Sequence, residues 1–299
     1  MSKDLYWNSV VLAMHMNDTL LTDGKGKTVA LNGAVARSSS QSKFGVYSAY
    51  FDGNSSYLSV PYSSDFDFGA GDLTIEMWLY RTGTNANGSR FWNCGGDYYH
   101  QVELGIDASG NLVSYGSTNG VDWSAWSAPN IGAIPANTWT HVAVVRNGGT
   151  VTAYIDGSGT VLTSSLGNTV LVNGAGGASQ RTIGGQSGIN RGYVGYIDDL
   201  RITKGVARYT SNFTPPGEAF PDAGYEVSGS VQDLSSSPLQ RVVRAYRRDN
   251  GAFLGETSSS PTTGAYTIPV AYDSEINVVL LDDTAGTLEN DQVLRTTPV

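Results

Sequence analysis

Apolar and polar residues alternate in short runs along most of the chain. Because successive side chains of a β-strand point to opposite faces of a sheet, this period of two is typical of half-buried strands. In the first two thirds of the chain the runs are residues 10–16, 57–60, 73–80, 102–106, 112–115, 141–145, 151–155 and 195–202. No helical period extends over more than about two turns. The pattern therefore predicts an all-β protein.

Clusters of glycine, asparagine and aspartate separate these runs. Examples are residues 52–54 (DGN), 147–149 (NGG) and 156–159 (DGSG). Glycine adopts a positive φ at no steric cost, and Asn and Asp side chains bond to nearby backbone groups. We therefore expect many of the runs to be joined as hairpins.

The strand pattern is interrupted at residues 213–224 (FTPPGEAFPDAG), which hold three of the ten prolines. Proline cannot donate a hydrogen bond to a β-ladder, so it is typical of strand ends and linkers. A second, shorter alternating pattern follows at residues 225–231, 241–247, 265–270 and 276–281. We predict two domains, residues 1–222 and residues 223–299, and the second is a small β-sandwich.

Charge and cysteine content narrow the range of partners. The chain has 18 basic and 27 acidic residues, a net charge of −9, and Cys94 is its only cysteine. A protein that follows phosphate groups needs a basic face, so we expect neither nucleic acid nor an anionic membrane surface as a partner. One cysteine excludes an intramolecular disulfide. The N-terminal apolar run, of about eight residues, is too short to span a bilayer, and nothing beside it resembles a signal-peptide cleavage site, so we expect synthesis in a cytoplasm.

The acidic residues do not predict an enzyme. Retaining glycoside hydrolysis needs two carboxylates about 5 Å apart. The nearest candidates are Glu103 and Asp107, whereas Asp198 and Asp199 are adjacent and so are expected on opposite faces. Glu76 stands alone. The three histidines form no recognisable triad spacing, although His100, beside aromatic residues, is placed to contact a ligand.

Aromatic residues beside polar turns offer a different chemistry. These rings are Trp92, Tyr98, Tyr99, Trp123 and Trp126, and their polar neighbours are Arg90, Asp97, Asn119 and Asp122. The apolar C–H faces of sugars stack on aromatic rings, while sugar hydroxyls bond to carboxylates, amides and guanidinium groups. A glycan site in these loops is one hypothesis. The alternative is that the rings cover the edges and ends of the sandwich, since Trp and Tyr are mostly buried.

Several segments, in order along the chain, resemble the concanavalin A-like, laminin G-type jelly-roll domains of bacteriophage tail proteins. They are residues 10–18, 43–69, 72–80, 138–149, 153–157, 182–185 and 195–216, the last with the sequence GYIDDLRITKGVARYTSNFTPP. The resemblance covers most of residues 5–222. Residues 225–299 resemble a carboxypeptidase regulatory-like module, which has an immunoglobulin-like or prealbumin-like fold.

These resemblances imply a virion protein of a phage tail, either a tail fibre or a tail-tip component, made in the host cytoplasm. Its jelly roll is then expected to bind a host-surface polysaccharide without catalysis, and its partners are other tail subunits in a homo-oligomeric assembly. The alternative is a purely structural baseplate, tail or capsid decoration protein that contacts only other virion subunits.

A structural calcium ion is a further expectation. Alternation places Asp198 on one face with Tyr196, Leu200 and Ile202, among apolar neighbours where an unpaired carboxylate is costly. Domains similar to this one bring their first and last strands together, which places Asp18 or Asp23 near Asp198, and they often carry Ca²⁺. Two or three carboxylates with carbonyls and water make such a site. The alternative is that Asp198 accepts hydrogen bonds from backbone amides.

Overall fold

A computed structural model describes residues 3–17, 21–54, 56–93, 99–174, 180–186, 190–233, 235–281 and 292–299. The chain divides into two compact units, one formed by Ser9–Phe220 and the other by Met1–Asn8 together with Pro221–Val299. The division after Phe220 lies two residues from the boundary expected from the prolines. The first eight residues belong to the C-terminal unit, where the Asp4 amide donates to the Ala223 carbonyl at 2.9 Å.

The described residues of the larger unit form fifteen strands. They are β1 Val10–Met14, β2 Ala30–Asn32, β3 Ala36–Ser38, β4 Ser48–Asp52, β5 Tyr57–Pro61, β6 Leu73–Arg81, β7 Ser89–Asn93, β8 Glu103–Ile106, β9 Asn111–Gly116, β10 Trp126–Ala133, β11 Trp139–Asn147, β12 Thr150–Ile155, β13 Ser158–Thr163, β14 Gln180–Ile183 and β15 Val194–Lys204. A short 3₁₀ turn, Ser64–Phe66, follows β5. The prediction of an all-β protein is confirmed.

These strands form two antiparallel sheets with the main core between them. The eight-stranded sheet has the order β13-β12-β11-β6-β15-β4-β3, and β1 pairs with β15 beside this path. The seven-stranded sheet has the order β10-β9-β8-β7-β14-β5-β2. In β6, Leu73, Ile75, Met77 and Leu79 enter the core, so the intervening residues point to the outer face of the eight-stranded sheet.

Strand β15 departs from simple alternation. Its register with β6 shifts between Asp198 and Arg201, and Asp199 lies at φ +47°. Because of this bulge, Ile197 and Leu200 both face the core, so the prediction that Leu200 shares a face with Asp198 is wrong. The expectation that Asp198 and Asp199 face opposite sides is also wrong, since both carboxylates accept hydrogen bonds from segments that cover the outer face.

Residues 205–220, here called the covering segment, lie over part of that outer face. Tyr209 and Phe213 stack on each other with ring centroids 3.6 Å apart, and both pack on Tyr154. Farther along the sheet, a row of half-buried rings crosses four adjacent strands in register on the same outer face, formed by Tyr50, Tyr196, Tyr80 and Trp139. Neighbouring ring centroids in this row are 5.1, 5.9 and 5.5 Å apart.

In the smaller unit, the residues that the structure describes include a 3₁₀ turn that begins at Trp7 (Trp7–Ser9) and form six strands. The strands are β16 Tyr225–Ser230, β17 Val242–Arg247, β18 Phe253–Ser258, β19 Ala265–Val270, β20 Ile276–Leu281 and β21 Gln292–Thr296. Strands β16 and β19 form one sheet, and the order β18-β17-β20-β21 forms the other. Val227, Val243, Ile268 and Val278 belong to its core. Among the residues that the structure describes, no helix is long and apolar enough to cross a membrane.

Candidate functional site

Three aromatic side chains form a continuous row at one end of the seven-stranded sheet. The Tyr99 and Trp123 ring centroids are 5.0 Å apart, and those of Trp123 and Tyr115 are 5.2 Å apart. Tyr99 is 37% exposed, while Trp123 and Tyr115 are half-buried. The row ends at Arg90, whose Cζ lies 5.9 Å from the centre of the Tyr115 ring. Together, Tyr99, Trp123, Tyr115 and Arg90 are called the aromatic row below.

The strand pleat explains how Tyr115 reaches this surface. In β9, Leu112 and Ser114 point inward, so Val113 and Tyr115 point to the outer face of the seven-stranded sheet. Trp123 lies in the connection from β9 to β10, and Tyr99 comes shortly before β8.

Backbone hydrogen bonds hold the loops of the aromatic row together. The Gly174 amide donates to the Tyr99 carbonyl at 2.8 Å, and the Val172 amide donates to the Ser117 carbonyl at 3.0 Å. Gly120 lies at φ +72°, and a Cβ there would come 2.9 Å from the Asn173 carbonyl oxygen. Only glycine therefore permits this close approach.

A pocket of about 270 Å³ adjoins the Tyr115 end of the row. It is lined by Ala86, Asn87, Gly88, Arg90, Asp107, Ala108, Val113 and Tyr115. The lining combines an aromatic face and a valine with a guanidinium, a carboxylate and an amide. A sugar ring presents the same mixture of apolar C–H groups and hydroxyls, so the pocket suits it chemically.

Buried charges support the floor of this site. Arg90 Nε donates to Glu103 Oε1, and His100 Nε2 lies 3.3 Å from Glu103 Oε2. Burial lowers the pKa of His100 to about 3, and the positive charges of Arg181 and Arg90 lower it further in the same direction. His100 is therefore neutral at pH 7. Its ring is fully buried, so the prediction that it is placed to contact a ligand is wrong.

A family comparison identifies the fold that carries this site. The model of the concanavalin A-like lectin/glucanases superfamily, in its laminin G form, matches residues 52–208, just over half of the chain. The chain belongs to this superfamily. The predicted concanavalin A-like jelly roll is therefore confirmed, and its two sheets are the eight-stranded and seven-stranded sheets of Ser9–Phe220.

Solved structures show distant similarity to the chain. Domain 4 of AbnA, an extracellular GH43 arabinanase from Geobacillus stearothermophilus solved with arabinotriose, is 19% identical; the match covers 67% of this chain and 94% of that one, with a TM-score of 0.46. The binding domain of Paraclostridial Mosquitocidal Protein 1 is 13% identical over 97% and 76% of the two chains, with a TM-score of 0.48. Trypanosoma rangeli sialidase is 16% identical over 72% of this chain but only 31% of its own, with a TM-score of 0.46. These similarities are too distant to assign a function, and no curated protein matches the sequence.

The structure separates the five predicted rings. Tyr99 and Trp123 meet in the aromatic row, and Tyr98 lies outside the described residues. Trp92 and Trp126 were predicted in the same site, but they are only 1% and 5% exposed and belong to the jelly-roll core. They face inward because their strands turn them toward the other sheet, so they cannot stack on a sugar.

Tyr115 was not among the site residues predicted from the sequence. The available signal was its position in the run 112–115, which alternation places on the face opposite to Leu112. Nothing in the sequence paired Tyr115 with Trp123, because that contact depends on how the β9–β10 connection folds back over the sheet.

The candidate catalytic carboxylates all have other partners. Glu103 pairs with Arg90. Asp107 accepts hydrogen bonds from the Ser109 and Asn111 amides and from Asn111 Nδ2, which fixes the turn between β8 and β9. The site therefore presents Asp107 as a hydrogen-bonding group at the pocket wall and Glu103 as a partner of Arg90.

Glu76, which stood alone in the sequence, lies at the centre of a buried polar cluster on the opposite sheet. Tyr209 donates to Glu76 Oε2 at 2.7 Å, and Arg201 donates to Oε1. His141 Nε2 lies 3.3 Å from Oε2. Burial opposes ionisation, but Arg201 and His141 outweigh it and hold the pKa of Glu76 well below its usual range.

The calcium candidates do not form a cation site among the described residues. Asp198 Oδ2 accepts from the Lys43 and Phe44 amides at 2.8 and 3.2 Å, and Oδ1 accepts from the Asp199 amide at 2.9 Å. These donors direct N–H hydrogens at the positions that a cation would take. Burial raises the pKa of Asp198 to about 7 against the effect of these amides.

The Asp23 carboxylate also accepts hydrogen bonds from backbone amides. Its carboxylate accepts from the Ala13, Lys25 and Lys27 amides at 2.8, 3.1 and 2.9 Å. Asp18 lies outside the described residues. In the ranges that the structure describes, no group of three or more His, Cys, Asp or Glu residues is placed to hold a metal ion. The hydrogen bonds that Asp198 accepts agree with the backbone-amide alternative, and a calcium site that includes Asp18 stays a prediction.

Proposed function

We propose that this protein is a non-catalytic, glycan-binding component of a bacteriophage tail, either a tail fibre or a tail-tip protein. Its jelly roll binds a host-surface polysaccharide, and the C-terminal unit acts as a spacer or adaptor to other tail subunits. The phage assignment rests on the resemblance of residues 5–222 to tail-associated jelly rolls. The glycan assignment rests on the aromatic row and the polar pocket that adjoins it.

The observation that best supports glycan binding is the contact between the partly exposed rings of Tyr99 and Trp123. Two rings in contact on a loop surface offer a platform for the apolar face of a sugar, and the pocket beside Tyr115 offers hydrogen bonds. Covering roughly 40 Å² of one ring face with apolar C–H groups contributes about 1 kcal/mol, so one site binds weakly. Repeated display in a homo-oligomer on the virion raises the avidity.

Binding to a glycan array that carries host polysaccharides tests the proposal. We expect saturable binding by the wild-type chain and its loss in Trp123→Ala and Tyr99→Ala. Trp139→Ala is the matched control, because Trp139 is a half-buried ring on the opposite sheet. Absence of binding by the wild-type chain to every glycan, or unchanged binding by both site variants, would refute the glycan assignment.

A purely structural role in the virion is the second candidate. The half-buried row of Tyr50, Tyr196, Tyr80 and Trp139 favours it, because Tyr and Trp are enriched where proteins contact each other. Antibody labelling of phage particles locates the protein, and light scattering gives its oligomeric state. Labelling at the tail tip supports attachment, whereas labelling restricted to the capsid or baseplate supports the structural role.

A further inference from the structure

The guanidinium in the pocket is already neutralised by the protein itself. Arg90 lines the pocket, and its Nε donates to Glu103, which is only 2% exposed. Arg90 Nη1 also donates to the Ser89 carbonyl at 3.1 Å. The positive charge of Arg90 therefore has a buried counter-charge and a fixed orientation before a ligand arrives.

Positive and negative charges are also equal in number around the pocket wall. Tyr115, on the pocket wall, lies in the field of two cations, Arg90 and Arg191, and of two anions, Glu103 and Asp107. These two cations and two anions are equal in number, so neither sign of charge predominates among them. The pocket consequently lacks the positive field that concentrates anionic ligands.

Of the remaining ionisable groups nearby, Arg181 and His100 are buried, whereas Asp122 is exposed. Arg181 is 1% exposed, and its guanidinium packs against the Tyr62 and Phe66 rings, 5.3 and 5.5 Å from their centres. His100, beside Glu103, is buried and neutral. At the far end of the aromatic row, Asp122 is exposed and adds a negative charge.

We propose that the buried pair of Arg90 and Glu103 makes this a site for neutral glycans, with Glu103 as the specificity-determining residue. The inference rests on the proposed function and narrows its ligand class. A neutral sugar stacks on Tyr115 and directs hydroxyls to Asp107 and Arg90. A uronic or sialic acid carboxylate gains no unpaired cation in the pocket and faces Asp107, so like-charge repulsion and lost hydration exclude it.

The wild-type chain provides the first test. An array that carries neutral, uronic and sialic glycans is read at about 0.05 M and about 0.5 M NaCl, since this range strongly changes screening. We expect binding to neutral glycans only, with affinity changed by less than about twofold by salt. Preferential binding to polygalacturonate or sialylated glycans, weakened by salt, would overturn the inference but leave the glycan-binding function in place. Absence of binding to all three classes of glycan would refute both this inference and the proposed glycan-binding function.

A substitution of Glu103 provides the second test. Glu103→Gln keeps the side-chain size and removes the counter-charge of Arg90, so we expect binding to polygalacturonate to strengthen at least about tenfold and to become salt-dependent. Glu256→Gln, an exposed position in the C-terminal unit, changes net charge equally and should gain nothing. Near-UV circular dichroism reports whether each variant is folded. A folded Glu103→Gln variant without the gain would refute the role of Glu103, and the salt titration of the wild-type chain decides the ligand class if this variant does not fold.

Discussion

Glu76 and Arg201 face each other on the paired strands β6 and β15, with Arg201 Nη2 2.8 Å from Glu76 Oε1. Both side chains are almost fully buried beneath the covering segment, so neither charge has water as an alternative partner. A buried ion pair costs desolvation, but the removal of one member leaves an uncompensated charge in the interior. The pair therefore specifies how β15 and the covering segment lie on the sheet.

We expect Glu76→Gln to lower the free energy of unfolding by about 3–5 kcal/mol at pH 7. Because the folded pKa of Glu76 is depressed below its ordinary value of 4.5, its ionisation stabilises the fold above that value. This contribution begins to decrease as pH falls below 4.5 and is lost only as pH falls through the folded pKa, so the difference between wild type and variant should narrow toward pH 3. Urea unfolding between pH 3 and pH 7 measures the difference.

Asp65→Asn is the control for that experiment. Asp65 pairs with Lys27 at 2.7 Å on the surface of the same unit, where the loss of an ion pair costs about 1 kcal/mol or less. Equal losses in the two variants would contradict the central role of Glu76.

Substitution of the core residue Trp92 and of the surface residue Trp123 should affect stability and glycan binding differently. Trp92→Ala opens a cavity in the core beside Phe66 and should cost about 3–5 kcal/mol. Trp123→Ala removes ring contacts at the surface, so it should cost about 1 kcal/mol while it abolishes glycan binding. Chemical denaturation and the glycan array are the measurements. A Trp123→Ala variant as unstable as Trp92→Ala would identify Trp123 as a core residue.

Gly157 should be needed for docking of the covering segment. It lies at φ +77°, and a Cβ there would lie 1.8 Å from the Phe213 carbonyl oxygen. Gly157→Ala is therefore expected to displace the segment and expose it to limited proteolysis near Phe213. Gly205→Ala is the matched control, since Gly205 has φ +81° but no atom within 4 Å of its Cβ position. The control should cost only about 1–2 kcal/mol of backbone strain, and equal proteolysis of both variants would show that room at Gly157 is unimportant.

Calcium should have little effect on the stability of the jelly roll. The carboxylates of Asp198 and Asp23 accept backbone hydrogen bonds, so we expect the same melting temperature in excess CaCl₂ and in excess chelator. A bound structural ion would instead stabilise the fold by about 2–4 kcal/mol at saturating concentrations. A fall of several degrees on chelation, with calcium found by elemental analysis, would point to ligands that include Asp18.

Alternation along the chain predicts the strands well because each strand has one face in the core and one outside. β6 and β9 appear where their period of two predicts them, and the family resemblance of the N-terminal part agrees with the matched family model. Local pattern also identifies Tyr99 and Trp123 as aromatic residues beside polar turns.

Only the tertiary structure shows that Trp92 is buried in the core whereas Trp123 lies at the surface. It alone also shows that backbone amides surround the Asp198 carboxylate. The bulge at Asp199 changes which side chains of β15 face the core, and the alternation of apolar and polar residues does not predict this bulge. Glu76 meets Arg201 across a sequence separation of 125 residues. Local propensity decides whether a segment is extended, but burial and pairing depend on which distant strand lies beside it, and that is a property of the whole packed sheet.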